Sequence, residues 1–239
     1  MNQLSEKNIA ILDKIIAISL FVFAAFSMFS ISIIHIASGL GGLAWLLRTH
    51  FTSSWHKQRW PLGIPFALFT LACLVAVIDS YDVSYSYKSL KKLFEILIFF
   101  WAVNCIQEDR FRDSLVLLLI ISATLAGLFG FYQAWEKTVT IGSRVEGTMS
   151  VYMTFAGLLM MAGLLTFGRL LFRRPFEPWV LLSLSVITTC LLLTLTRQAW
   201  FGFITGALFL LCVWRKKNLL IVVFLLIAMA FMSSESFRS

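Results

Sequence analysis

The residues best placed to do chemistry lie in Thr194-Leu195-Thr196-Arg197-Gln198-Ala199-Trp200. This stretch separates two apolar runs, Trp179 to Leu195 and Ala199 to Trp214. Together they are too long for one membrane-crossing helix of about 20 residues. The chain must therefore turn near Arg197, which fixes a permanent cation at a membrane face, and an ionisable group held there marks a candidate site. A guanidinium is a planar fork that matches the oxygens of a phosphate or carboxylate, whereas a lysine acts as a point charge. Arg144 stands in a similar place, ahead of the apolar run Ser150 to Phe167. Lys88, Lys91 and Lys92 lead into another, Leu93 to Ile106, which is short and carries Glu95.

The composition says what must position these cations. Hydrophobic residues make up 59% of the 239 residues and charged ones 13%, and the mean hydropathy is +0.87. That balance excludes an ordinary water-soluble domain and predicts an all-α, polytopic transmembrane helical bundle, read as a single transmembrane domain over residues 1–239. The run from Ile15 to Leu47 is too long for one span and long enough for a hairpin turning near Ser30 to His35, with the small-residue patch Ser38-Gly39-Leu40-Gly41-Gly42 in its second arm. It also exceeds the apolar core of a signal peptide and lacks a persuasive cleavage site, so the first span is expected to stay uncleaved. Further runs cover Pro61 to Ile78, Leu93 to Ile106, Ser114 to Trp135, Ser150 to Phe167, the two that flank Arg197, and Leu219 to Met232, about nine spans in all. Gln107 to Asp113 reads as a charged loop. Gly202 and Gly206 form a GxxxG on the eighth run that could seat another helix closely. The four cysteines fall in or at the ends of apolar runs without CxxC spacing and read as small core residues.

Charge sets the orientation. With nine spans, the loops that include the N-terminus, residues 48–60, 107–113, 168–178 and 215–218 hold about two thirds of the 20 Lys and Arg residues. The positive-inside rule places that set, and the N-terminus, in the cytoplasm and the C-terminal end outside. Lys88, Lys91, Lys92, Arg144 and Arg197 then belong to the translocated side, against the orientation signal. An anionic lipid phosphate bound outside would compensate them. The plainer reading is that they snorkel or pair with Asp79, Asp82, Glu95, Glu136 and Glu146.

Other chemistry is weaker. Asp79-x-x-Asp82 has the spacing to share a Mg²⁺, yet two carboxylates on a Tyr- and Ser-rich loop are more often solvated or paired with lysine. His35 is a lone histidine near a hairpin turn, a place more often interfacial than catalytic. His50 and His56 accompany Arg48 and Lys57 on what reads as a solvated or headgroup-binding loop. Glu95 stands one helical turn after Lys91 and could pair with it. No nucleotide fingerprint appears, no metal site is assigned, and no nucleic-acid partner is expected.

Tyr87-Lys88-Ser89-Leu90-Lys91-Lys92 before a short span, Arg144-Val145-Glu146-Gly147-Thr148 opening the sixth, and Leu195-Thr196-Arg197-Gln198-Ala199-Trp200 before a Gly-bearing helix resemble, in that order, the O-antigen ligase family. These are membrane glycosyltransferases that move an undecaprenyl-diphosphate-linked glycan onto lipid A-core. The last motif looks like the family's arginine turn, with Arg197 as its arginine. The resemblance implies a GT-C-like bundle in the bacterial inner membrane and a metal-independent reaction with no cofactor. It also implies that residues 1–239 form the N-terminal part of such a protein, because family members continue into a large periplasmic loop with a catalytic histidine and then further spans. Arg197 and Arg144 would clamp the donor diphosphate, and Lys88, Lys91 and Lys92 would add field or grip acceptor phosphates. Its partners would be the lipid-linked glycan, the lipid A-core acceptor and membrane lipids. Two alternatives stay open, an O-antigen polymerase or other periplasmic oligosaccharyltransferase, and a lipid-linked glycan transporter. A transporter calls for charges or broken helices near mid-membrane, and here the span centres are apolar.

Overall fold

The computed structural model describes residues 3–78, 90–136, 144–149, 151–173 and 177–214. Among these residues all regular structure is helical, in eight α-helices. They are α1 (Gln3–Phe26), α2 (Ile31–Phe51), α3 (Gly63–Ile78), α4 (Glu95–Cys105), α5 (Asp109–Glu136), α6 (Tyr152–Phe172), α7 (Pro178–Leu193) and α8 (Arg197–Val213). Four of them, α1 from Lys7, α2, α5 and α6, are long and apolar enough to cross a membrane. The others are apolar but shorter; at 1.5 Å per residue α4 reaches only about 16 Å. The ninth apolar run, Leu219 to Met232, lies outside the described residues, as do Asp79 and Asp82.

Exposed apolar surface makes this a membrane protein. No residue of α3 is buried, and Ile64, Leu68, Phe69 and Ile78 are 57–80% exposed. Such a helix is stable only where its solvent is hydrocarbon. Hydroxyls within the helices are satisfied at home, as hydrocarbon demands. Thr70, Thr124, Thr166 and Thr188 each donate to the carbonyl four residues back at 2.7–2.8 Å.

The chain divides into two compact units. The first holds α1 to α4 and the opening turns of α5, through Val116. Here α1 packs along α2, and the turn between them falls at Ser27 to Ser30, so His35 lies inside α2 rather than at the bend. Gly41 lets the Trp101 ring of α4 against α2, with Ser19 of α1 on the other side; a Cβ at 41 would run into that ring and lie 2.8 Å from the Ser19 Cβ. Phe23 meets Trp101 edge-on at 6.1 Å. His35, Ser38, Gly39 and Gly42 of α2 line a groove of about 730 Å³ with Phe94 and Glu95.

The expected loop Gln107 to Asp113 is mostly helix, since α5 begins at Asp109. Its charges suit a helix start: Asp109 lies in the first turn, where the dipole favours an anion, and pairs with Arg112 one turn on at 2.8 Å.

The second unit holds Met28 to Ser30, the rest of α5, the loop Arg144 to Met149, and α6 to α8. On α6 the buried positions Phe155, Ala156, Leu159, Ala162, Gly163 and Thr166 repeat at helical spacing and form one face. Val180, Ser183, Ile187, Cys190 and Leu191 do the same on α7. Cys190 is therefore a core residue, whereas Cys212 on α8 is exposed, which corrects its reading as core. The GxxxG on α8 seats α6 of the same chain. Gly202 faces the Met160 side chain, Gly206 faces Leu164, whose Cδ1 would lie 2.6 Å from an added Cβ, and Leu210 reaches Gly168. Rising numbers on one helix meet rising numbers on the other, so α6 and α8 run parallel in close register.

Candidate functional site

Arg197 is the first residue of α8. The turn before it is built from Thr194 and Thr196, both buried, whose hydroxyls bend back onto the chain. Thr194 Oγ1 donates to the Leu191 carbonyl at 2.7 Å, and Thr196 Oγ1 to the Thr194 carbonyl at 3.2 Å. Trp200 closes it, its indole Nε1 donating to the same Leu191 carbonyl at 3.0 Å. Leu195 sits between them at φ 50°, in the left-handed region that a branched side chain rarely occupies. Such a residue persists only where its surroundings over-determine it. Arg197 emerges from this frame exposed, and among the described residues it makes no ion pair.

Arg144 opens a loop that is equally fixed. Val145 and Met149 are buried, Thr148 Oγ1 donates to the Met28 carbonyl, and the Gln133 side chain of α5 bonds both backbone groups of Gly147 at 2.8 Å. Gly147 has φ 62°, and a Cβ there would run into the Phe155 ring, so glycine is required twice over. The Arg144 guanidinium lies over the Tyr152 ring with its Cζ 4.7 Å from the centroid, a cation–π contact.

The two arginines share one end of this unit. Pairing of Met160 with Gly202 and Leu164 with Gly206 sets Arg197 level with Phe155, less than one turn beyond Tyr152. A second link agrees: a Cβ at Gly130 would touch both Cys190 Sγ (2.5 Å) and Val145 Cγ1 (3.2 Å), so the residue after Arg144 packs beside the last turns of α7. Two parallel helix N-termini thus open at this end, Val151 and Thr196 at their caps, and neither cap makes a side-chain hydrogen bond to its helix. Uncapped N–H groups and the positive end of each helix dipole add to the two guanidiniums. Two exposed carboxylates, Glu136 and Glu146, stand at the same end.

Lys91 and Lys92 fall on the 3-10 turn Leu90–Phe94 of the first unit, ahead of α4; their side chains, and Lys88 altogether, lie outside the described residues. So does any pairing of Lys91 with Glu95. Gln133, Tyr152 and Phe155 are the residues that reasoning from motifs overlooks. Gln133 had a signal, an amide one turn from the end of an otherwise apolar run. Comparison with protein families, with curated proteins and with solved structures finds no match for this chain.

Proposed function

We propose that this chain supplies the diphosphate-binding helices of an O-antigen-ligase-type membrane glycosyltransferase, which transfers a glycan from an undecaprenyl diphosphate carrier to lipid A-core. In this reading it is a nine-span, GT-C-like protein of the bacterial inner membrane with a cytoplasmic N-terminus, and Arg144 and Arg197 face the periplasm. The supporting observation is the common position of those two residues, each at the entry to one of two parallel helices in one unit. A pyrophosphate carries two phosphates in series, and two guanidiniums with two helix N-termini offer it matching donors, with Glu136 and Glu146 as counter-charges at the same end.

The chemistry follows from charge. As the anomeric carbon passes through an oxocarbenium-like state, negative charge grows on the departing diphosphate. Fixed donors stabilise that charge more in the transition state than in the bound donor, which raises the rate rather than merely the affinity. The turn that carries Arg197 is braced, so only its side chain has to order on the donor. Lys88, Lys91 and Lys92 would serve the acceptor's phosphates.

Replacement of Arg197 by Ala tests the reading. Loss of one such donor costs on the order of 10²–10³ in rate. The strain should lose polymeric surface glycan at unchanged protein abundance, with Arg197→Lys partly active. Normal lipopolysaccharide in the alanine strain at equal abundance overturns the proposal. Accumulation of polymer on the carrier lipid marks a ligase, whereas single-unit caps on lipid A-core mark a polymerase.

A further inference from the structure

The segment that joins α2 to α3 is pinned by its backbone and turns its chemistry outward. Asn104 of α4, 5% exposed, holds Arg59 from both sides: its Oδ1 accepts from the Arg59 N–H at 2.7 Å, and its Nδ2 donates to the Arg59 carbonyl at 3.0 Å and to Phe100 at 2.9 Å. Next to it, Gln58 Oε1 accepts from the buried Trp45 Nε1 at 3.2 Å, and Gln58 Nε2 donates to the Ser54 carbonyl at 3.3 Å. Ser53 (φ 48°) and Leu62 (φ 58°) bracket the segment in strained left-handed backbone that these anchors maintain. A loop with no task beyond linking two helices does not need such bracing.

What it presents is mixed in a particular way. Trp55 and Trp60 are 41% and 47% exposed, and His56, Lys57 and Arg59 are exposed between them. Among the described residues neither Lys57 nor Arg59 makes an ion pair. Nearby acids are matched elsewhere: Asp13 holds Arg48 at 2.6 Å, and Asp109 holds Arg112 at 2.8 Å. Glu108 is exposed.

We infer that residues 55–60 form a preorganised platform for an anionic phospholipid, independent of the arginine site in the other unit. The indoles, apolar in body with a polar N–H, lie at headgroup depth, and Lys57 and Arg59 take the phosphate between them. Because Asn104 and Gln58 already fix the backbone, binding orders only side-chain tips. A basic residue near an anionic membrane surface contributes about fivefold in affinity, so the pair contributes on the order of 25-fold.

The experiment is a lipid titration of the purified full chain by native mass spectrometry, with dioleoyl phosphatidylglycerol, dioleoyl phosphatidylcholine and inorganic phosphate as probes. Phosphatidylglycerol should bind at least about tenfold more tightly than phosphatidylcholine, consistent with two cations. Lys57→Gln/Arg59→Gln, both exposed and safe for folding, should remove that preference, while Lys7→Gln/Lys14→Gln on α1 should leave it in place. Equal binding of the two lipids by the unaltered protein overturns the inference. So does an undiminished preference in the Lys57/Arg59 variant, an equal loss in the Lys7/Lys14 variant, or occupancy of the same site by inorganic phosphate at equal affinity.

Discussion

The side-chain amide of Gln133 bonds both backbone groups of Gly147, accepting from its N–H and donating to its carbonyl, each at 2.8 Å. Gln133→Glu keeps the acceptor, removes the donor and sets a carboxylate against the Gly147 carbonyl. Leaving a buried carbonyl without its partner costs about 1–3 kcal/mol. Gly147→Ala combines left-handed strain with a clash at Phe155 and should cost roughly 2–4 kcal/mol. Thermal unfolding in detergent measures both. Hydrogen exchange at amides 145–149 should speed up in Gln133→Glu while α7 stays protected; unchanged exchange there means that the clamp does not hold the loop.

Tyr152 carries the Arg144 guanidinium on its face, so ring and hydroxyl can be separated. A cation–π contact is worth about 0.5–2 kcal/mol, or roughly 2- to 30-fold. On the proposed reaction, Tyr152→Phe should transfer glycan at near the normal rate, and Tyr152→Leu should fall by that factor. Equal loss in both variants would assign the effect to the hydroxyl instead of the ring.

The outline of this site is legible in the sequence and its bracing is not, for physical reasons. A charged residue between two apolar runs forces a turn, and the helices do end at Leu193 and begin again at Arg197. The GxxxG announces a close helix approach, but spacing carries no information about which helix arrives, and the partner is α6. Gln107 to Asp113 looks like a loop because the first turns of a membrane helix carry the same interfacial charges as a loop; only the Asp109–Arg112 spacing of three hints at helix. The amide of Gln133 stands out in an apolar run, but its partner stays hidden, because a backbone carbonyl and N–H fourteen residues away have no signature in residue type.

Three glycines crowded into α2 make a sharper stability test. Gly39 and Gly42 have nothing within 4 Å of an added Cβ, whereas Gly41 faces the Trp101 ring, itself 1% exposed and unable to retreat. Gly39→Ala and Gly42→Ala should raise stability by up to about 1 kcal/mol each through helix propensity. Gly41→Ala should lower it by about 1–3 kcal/mol or more, since the overpacked neighbour is a rigid indole. Unfolding curves for the three variants in one detergent settle the comparison; equal shifts at all three positions mean that α4 does not pack on α2 through Gly41.

The close register of α6 with α8 leads to a topological prediction that does not depend on catalysis. Arg197 lies level with Phe155, and Arg144 is tied to Tyr152 at the start of the same parallel pair, so both positions must meet the same aqueous phase. On the proposed orientation that phase is the periplasm. A cysteine-free background needs Cys73, Cys105, Cys190 and Cys212 replaced, and only Cys190 among them is buried. Its Sγ packs against Gly130, so Ala at that site leaves a small void rather than a clash. Single cysteines at 144 and 197 should then both react with a membrane-impermeant maleimide added to intact cells with permeabilised outer membranes. Reaction of both only after the inner membrane is opened would preserve the shared end and invert the orientation, which removes the periplasmic diphosphate from the proposed function. Reaction of one from each side would break the parallel register itself, and with it the pairing of the two guanidiniums on which a diphosphate grip depends.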